Sequence, residues 1–323
     1  MKILLTGCCG FIGYHTALRL LKKGHEVFGV DDMNDYYSVE LKEFRKDKLW
    51  NHSNFTFVQA NICNKRHMRN IISKFKPVAI INLAARAGVR YSLINPYIYA
   101  ETNTIGTLNL LEIAKDFEIK KFILASTSSL YAGQQMPFKE DLPVNTPISP
   151  YAASKKGAEA MCYTYHYLHD MDITIFRFFT VYGECGRPDM CIFQFIEHIN
   201  RDEPIKVYGD GLQSRDFTYV KDIARGVTKG VGLKGFQIIN LGGNKPYKLQ
   251  ELIINIEINL QKTAKINYLP SFKTDIKDTW ADISKADKLL GWKPTVSLQL
   301  GINKTVAWHE TNKTFLRNVK LFD

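Results

Sequence analysis

The first thirteen residues, MKILLTGCCGFIG (1–13), decide the fold. An apolar run reaches Thr6 and meets Gly7, Gly10 and Gly13, after which Tyr14, Ala17, Leu18 and Leu21 recur at helical spacing until Gly24. The order is strand, glycine turn, helix. Glycines at such a junction permit a tight turn and let backbone N–H groups at the helix start face a pyrophosphate. Alone, the GxxGxxG spacing is a weak signal. Its surroundings strengthen it, because HEVFGVDD (25–32) is a second strand ending in Asp31, with Asp32 beside it. A carboxylate there can accept both ribose hydroxyls of an adenosine and repels a 2′-phosphate, which favours NAD over NADP.

Further along, FTFVQAN (55–61), VAIINLAA (78–85), KFILAST (121–127) and ITIFRFF (173–179) repeat the apolar strand theme. Helical stretches such as NTIGTLNLLEIAKDF (103–117) lie between them. Strands alternating with helices predict a parallel sheet covered on both faces, an α/β fold of the Rossmann-type doubly wound kind. After Phe179 the pattern breaks into short mixed elements, with one further clear strand at FQIINLGG (236–243). The expected division is a dinucleotide domain over 1–179, rejoined by a strand near 236–241, and a smaller mixed α/β substrate lobe over 180–323.

Composition excludes several classes. At 323 residues and 45% hydrophobic, the chain can bury a large core. No apolar stretch approaches the roughly 18 residues of a membrane span, and the start lacks a signal-peptide cleavage pattern, so the expected location is the cytoplasm. Cys8, Cys9, Cys63, Cys162, Cys185 and Cys191 form no CxxC pair, which predicts neither a metal site nor a disulfide framework. The net charge of +11 is spread along the chain rather than gathered in blocks, so neither nucleic acid nor membrane is expected as a partner. Trp280 and Trp292 are read as packing residues, and His15 and His166 as packed or exposed side chains and not as ligands.

SPYAASKK (149–156) places Tyr151 and Lys155 four residues apart, on one face of a helix. A free tyrosine has a pKa of about 10, so only about one in a thousand is ionised at neutral pH. An adjacent ammonium and a cationic nicotinamide both favour the phenolate, and three pH units correspond to about 4 kcal/mol. Tyr151 can then act as a general base on a sugar hydroxyl. Thr127, in ASTSSLYAG (125–133) where a sheet strand emerges, can hydrogen-bond the same reacting oxygen.

With these motifs in view, the chain resembles the extended short-chain dehydrogenase/reductases over essentially its whole length, and most closely the UDP-glucuronate 4-epimerases. The resemblance is carried by the glycine loop, DDMNDYY (31–37), LKEFRKDKL (41–49), LAARAGVRYS (83–92), ASTSSLYAG, YAASKK, RFFTVYGECGRPDM (177–190), RDFTYVKDIARG (215–226) and ADISKADKLLGWKP (281–294). It implies Thr127, Tyr151 and Lys155 as the catalytic trio. It implies cofactor contacts from Gly7, Gly10, Phe11, Ile12, Gly13, Asp31, Asn34, Asn61, Ile62, Leu83, Ala84, Ala85 and Asn103, besides Tyr151 and Lys155. Substrate contacts are implied for Arg90, Ser128, Ser129, Thr180, Arg187, Arg215 and Asp275, with Arg215 on the nucleotide diphosphate. A homodimer formed through a helix bundle is implied as well. The chain departs from the family's usual pattern at Cys8 and Cys9 in the loop, at Asn61 in place of Asp, at Arg86 in place of Gln, and at Thr274 in place of Gly.

The hydroxyl cluster selects among reactions. Related 4,6-dehydratases supply an acid and a base, Asp and Glu, directly after the threonine, and related decarboxylases usually carry Glu in this segment. Here the two positions are Ser128 and Ser129, and serine is a poor base, so elimination loses its machinery. The expected activity is an NAD-dependent C4 epimerase that interconverts UDP-glucuronate and UDP-galacturonate through a transient 4-keto sugar, with tightly bound NAD regenerated each cycle. The alternatives are a UDP-glucose/UDP-galactose 4-epimerase, a dehydratase or decarboxylase, or, in a different class, an NAD-sensing regulator or RNA-binding member of the fold. Thr180, where the neutral-sugar relatives usually have Asn, and the retained Tyr/Lys pair argue for the first reading.

Overall fold

KILLT forms strand β1 (Lys2–Thr6), in which Ile3, Leu4 and Leu5 are fully buried. Burial on both faces makes its sequence continuously apolar rather than alternating. In the computed structural model, which describes residues 1–321, β1 pairs in parallel with β2 (Glu26–Asp31) on one side and β4 (Ala79–Asn82) on the other. Outward from these lie β3 (Phe55–Gln59), β5 (Lys121–Thr127) and β6 (Asp172–Phe178). Strand β10 (Phe236–Leu241) closes the far edge against β6. Among the described residues the sheet therefore has seven parallel strands in the order β10-β6-β5-β4-β1-β2-β3. The chain order reverses between β1 and β4, so the strand ends there open into a crevice where ligands of such sheets bind.

The elements after Phe178 are shorter. β7 (Thr180–Tyr182), β9 (Ser214–Tyr219) and β11 (Pro246–Lys248) form one small sheet, and β8 (Ile205–Tyr208) pairs with β12 (Ile266–Leu269) in another. The sequence pattern shows only β10 in this region. The other five strands are three to six residues long and partly exposed, so they lack a continuous apolar run. Trp292 is fully buried and its indole N–H donates to the Asp222 carbonyl at 2.9 Å, while Trp280 is partly buried. His15 is also packed inside, its Nε2 2.9 Å from the Glu184 carbonyl, and burial lowers its imidazole to about 4. Among the described residues no helix is long and apolar enough to cross a membrane.

One contact fixes how the first helix meets the sheet. A Cβ built on Gly13 would lie 1.9 Å from the Gly7 carbonyl oxygen. Gly13→Ala must therefore push the helix Phe11–Lys22 away from the loop. We predict a loss of about 1–3 kcal/mol in urea unfolding, and an unchanged midpoint would contradict this packing.

Candidate active site

Six of the seven parallel strands, all but β10, deliver their C-terminal ends to one cleft. Gly7, Gly10, Phe11, Ile12 and Gly13 line it from the loop and the first helical turn; Asp31 and Asn34 follow β2, and Asn61 and Ile62 follow β3. Leu83, Ala84 and Ala85 follow β4, and Tyr151 and Lys155 close the far end. Gly7 has φ +70°, and a Cβ on it would stand 2.7 Å from the Ala84 nitrogen. Gly10 caps the helix without a side chain, which leaves the first-turn N–H groups for an anion. The Asp31 carboxylate accepts N–H groups from Cys9 and Met33, both at 3.0 Å. Burial raises its pKa, with Lys42 and the Met33 and Cys9 N–H groups opposing. A glycine turn that leaves the first helical N–H groups uncapped, with a carboxylate one strand away, fits a dinucleotide.

Further residues shape this cleft, and of these Lys42 and Arg45 carry no signal in the sequence. Lys42 Nζ donates to the Asn34 carbonyl at 2.5 Å, and Arg86 donates to Asn34 Oδ1 at 2.8 Å. Arg45 is fully buried and makes five hydrogen bonds, to the carbonyls of Cys9, Cys185 and Gly186 and to the Tyr37 hydroxyl. It thereby ties the glycine loop to the segment after β7. Both Lys42 and Arg45 lie in LKEFRKDKL, and both are buried. Asn61 Oδ1 accepts the Cys63 N–H at 2.8 Å. Asn103 stands behind the cleft wall: its amide donates to the Arg86 carbonyl and to Ser154 Oγ, both at 2.9 Å, and its Oδ1 accepts the Arg86 N–H at 2.9 Å. Cys8, Cys9 and Asp31 bring their ligating atoms within 4.8 Å of one another, but both thiols are fully buried and the carboxylate is already held by backbone.

The helix Pro150–His169 begins where Ser149 Oγ accepts the Ala152 N–H at 3.2 Å, with Pro150 in its first turn. This sets Tyr151 near Thr127, at the end of β5. Lys155 Nζ donates to the Ala125 carbonyl at 3.0 Å. Burial lowers the lysine to about 8, with Glu159 opposing. Burial likewise raises Tyr151, offset by the Thr127 hydroxyl and by the charge of Arg187. The sequence points to the Lys155 ammonium for this offset; in the structure that ammonium rests on the strand carbonyl and Arg187 is the cation that reaches Tyr151.

A second, adjoining pocket is lined by Ser128, Ser129, Thr180, Arg215 and Asp275, with Ser149 beside them. Thr127 stands between the two, since Ala125 and Ser126 line the first and Ser128 and Ser129 the second. Arg215 donates to the carbonyls of Ser214 and Lys277, both at 2.8 Å. Arg90 pairs with Asp275 at 2.9 Å and lies over the rings of Tyr208 and Phe272. Arg187 is on the wall of the dinucleotide cleft, outside the pocket of Ser128 and Ser129, and shares a further small cavity with Thr180. It is held by Asp189 through two hydrogen bonds of 2.9 and 2.5 Å and donates to the Ala87 carbonyl at 3.1 Å.

A family model described as GDP-mannose 4,6 dehydratase matches residues 4–305. The chain belongs to that family of extended short-chain dehydrogenase/reductases. It is 52% identical over 319 residues to a protein of Thermodesulfobacterium geofontis named UDP-glucuronate 4-epimerase, covering 98% of this chain and 99% of that one. The crystal structure of UDP-glucuronic acid 4-epimerase from Bacillus cereus, in complex with UDP-glucuronic acid and NAD, matches with a TM-score of 0.91 at 36% identity, over 96% of this chain and 99% of that one. A UDP-glucose 4-epimerase from Thermotoga maritima, with UDP-glucose, matches with a TM-score of 0.89 at 30% identity, over 97% of this chain and all of that one (100%). For a short-chain dehydrogenase/reductase, the cleft predicts that NAD binds and that NADP binds far more weakly. Asp31→Ala is expected to lower NAD affinity at least about 10-fold in a fluorescence titration. An unchanged affinity would remove the carboxylate from the ribose contact.

Proposed function

We propose that the protein is an NAD-dependent 4-epimerase interconverting UDP-glucuronate and UDP-galacturonate through a transient 4-keto sugar. The observation that carries the reaction type is the hydroxyl pair Ser128 and Ser129, set directly after Thr127 and facing the second pocket with Thr180. These positions offer hydrogen bonds but neither acid nor base, which suits oxidation and reduction at C4 with nothing eliminated. The relatives named above support the uronate as substrate.

In this reading Tyr151 takes the O4 proton and Thr127 holds the same oxygen. Held by Asp31 and the first-turn N–H groups after Gly10, NAD would supply the acceptor and donor of the C4 hydride. The Arg187 charge already favours the phenolate over the effect of burial, and Lys155, one helical turn on, adds its own as the phenolate forms. Arg215, oriented by two carbonyls, meets the diphosphate, and Arg90 with Asp275 borders the nucleotide. Ser128, Ser129 and Thr180 hold the uronate carboxylate out of alignment with the C4 carbonyl, because loss of CO₂ needs that alignment. The Asp31 carboxylate and the loop N–H groups hold NAD through the cycle. We assign residues 1–179 and the strand 236–241 to the dinucleotide and 180–323 to the sugar nucleotide, and place the enzyme in the cytoplasm. A homodimer is also proposed, since Ile105, Tyr163, Tyr167 and Leu168 are exposed on or beside the helix Pro150–His169.

One observation favours the neutral sugar instead: Arg187 is already engaged by Asp189, so the carboxylate pocket relies on hydroxyls. Direct comparison separates the readings. UDP-glucuronate is expected to be epimerised orders of magnitude faster than UDP-glucose, with little pentose and no net consumption of cofactor; faster turnover of UDP-glucose would reverse the assignment. Tyr151→Phe is expected to lower kcat by about 100-fold or more while NAD remains bound. A variant with near wild-type kcat would free Tyr151 from its role.

A further inference from the structure

Beneath the Tyr151–Lys155 face, and outside both pockets, lies a buried ion pair. Glu159 follows Lys155 by one helical turn and is 3% exposed; Arg177, on β6, is 1% exposed. The two are joined in a fork, Arg177 Nε to Oε1 at 3.0 Å and a terminal nitrogen to Oε2 at 2.8 Å. Ser126 Oγ donates to Glu159 Oε1 at 2.6 Å. Ser126 is the β5 residue directly paired with Arg177, and its neighbours are Ala125, whose carbonyl takes the Lys155 ammonium, and Thr127. Arg177 donates further to the Tyr131 hydroxyl, which donates to Asn240 on β10, each at 2.8 Å.

Burying such a pair costs desolvation that its attraction often fails to recover, so stability alone is a weak reason for it. Its placement supplies another. One carboxylate grips the strand residue lying between the lysine's acceptor and the threonine, and it does so one turn from the lysine. We propose that Glu159 is a positioning residue for the reaction, its carboxylate supplying the negative charge that Lys155 faces and tying down the strand end that bears Thr127. This rests on the reading in which Tyr151 takes the O4 proton with the Lys155 ammonium in support.

The ionisable groups around Lys155 are Tyr151, Glu159 and Cys162 on its own helix, Arg177 on β6, Tyr131 after β5, Tyr99 against the Tyr151 ring, and Arg187, whose charge reaches Tyr151. Of these, Glu159 and Cys162 favour the ammonium. Burial keeps the Cys162 thiol protonated, which leaves Glu159 as the standing negative charge. Its removal lets Lys155 lose its proton at lower pH.

The test is the pH dependence of kcat/KM for UDP-glucuronate, measured on holoenzyme for wild type, Glu159→Gln, Glu159→Asp and the double variant Glu159→Gln/Arg177→Met. The double variant leaves no unpaired buried charge and decides the matter should the single one fail to fold. Both charge-removing variants are expected to move the alkaline limb down by at least about one pH unit, while Glu159→Asp keeps it near that of wild type. A folded Glu159→Gln or double variant with lower stability or rate but an unmoved limb would overturn the proposal and leave Glu159 as packing. Wild type that fails to turn over UDP-glucuronate, yet whose limb on UDP-glucose moves on charge removal, would contradict the substrate assignment and not this inference.

Discussion

The Gly7 carbonyl occupies the space that a side chain on Gly13 would need, and the backbone of Ala84 closes on Gly7 from the other side. Every other feature of the cleft depends on this three-way approach of strand end, helix start and neighbouring strand. It lets the uncapped N–H groups of the first helix point into the crevice, and it brings Cys9 within reach of Asp31. The Arg45 guanidinium reinforces the same junction from below by joining Cys9 to the segment after β7.

From that junction the site divides by chemistry. On one side the cleft offers carboxylate, N–H groups and cations to a charged dinucleotide. On the other, hydroxyls predominate around the place where a sugar would react. Thr127 stands at the border because β5 ends there, and the three residues after Ala125 in the strand direction alternate between the two spaces and the buried ion pair beneath. A short stretch of chain thus serves cofactor, substrate and support at once. Its neighbour β6 contributes the arginine that holds it in place.

The large sheet was legible because strands buried on both faces read as unbroken apolar runs, as in KILLT and KFILAST. PYK and SRDFTY lack that signature, and their strands were invisible without the fold. At the site, Gly7, Gly13 and Asp31 could be placed by strand and helix alone. Partnerships across the fold could not. The motif around Arg187 displays a free charge, yet Asp189 two residues on takes it; the spacing of Glu159 from Lys155 is visible, but its partner Arg177 lies on another element. Arg86 stood out as a departure, while its contact with Asn34 required the β2 and β4 ends to meet.

In the proposed epimerisation, hydrogen leaves C4 of the sugar and returns to the same carbon. Turnover of UDP-glucuronate carrying deuterium at C4, in ordinary water, follows that hydrogen. UDP-galacturonate is expected to keep the deuterium at C4 through many turnovers and to form more slowly than from unlabelled substrate. Product whose C4 deuterium has exchanged for solvent hydrogen would contradict it.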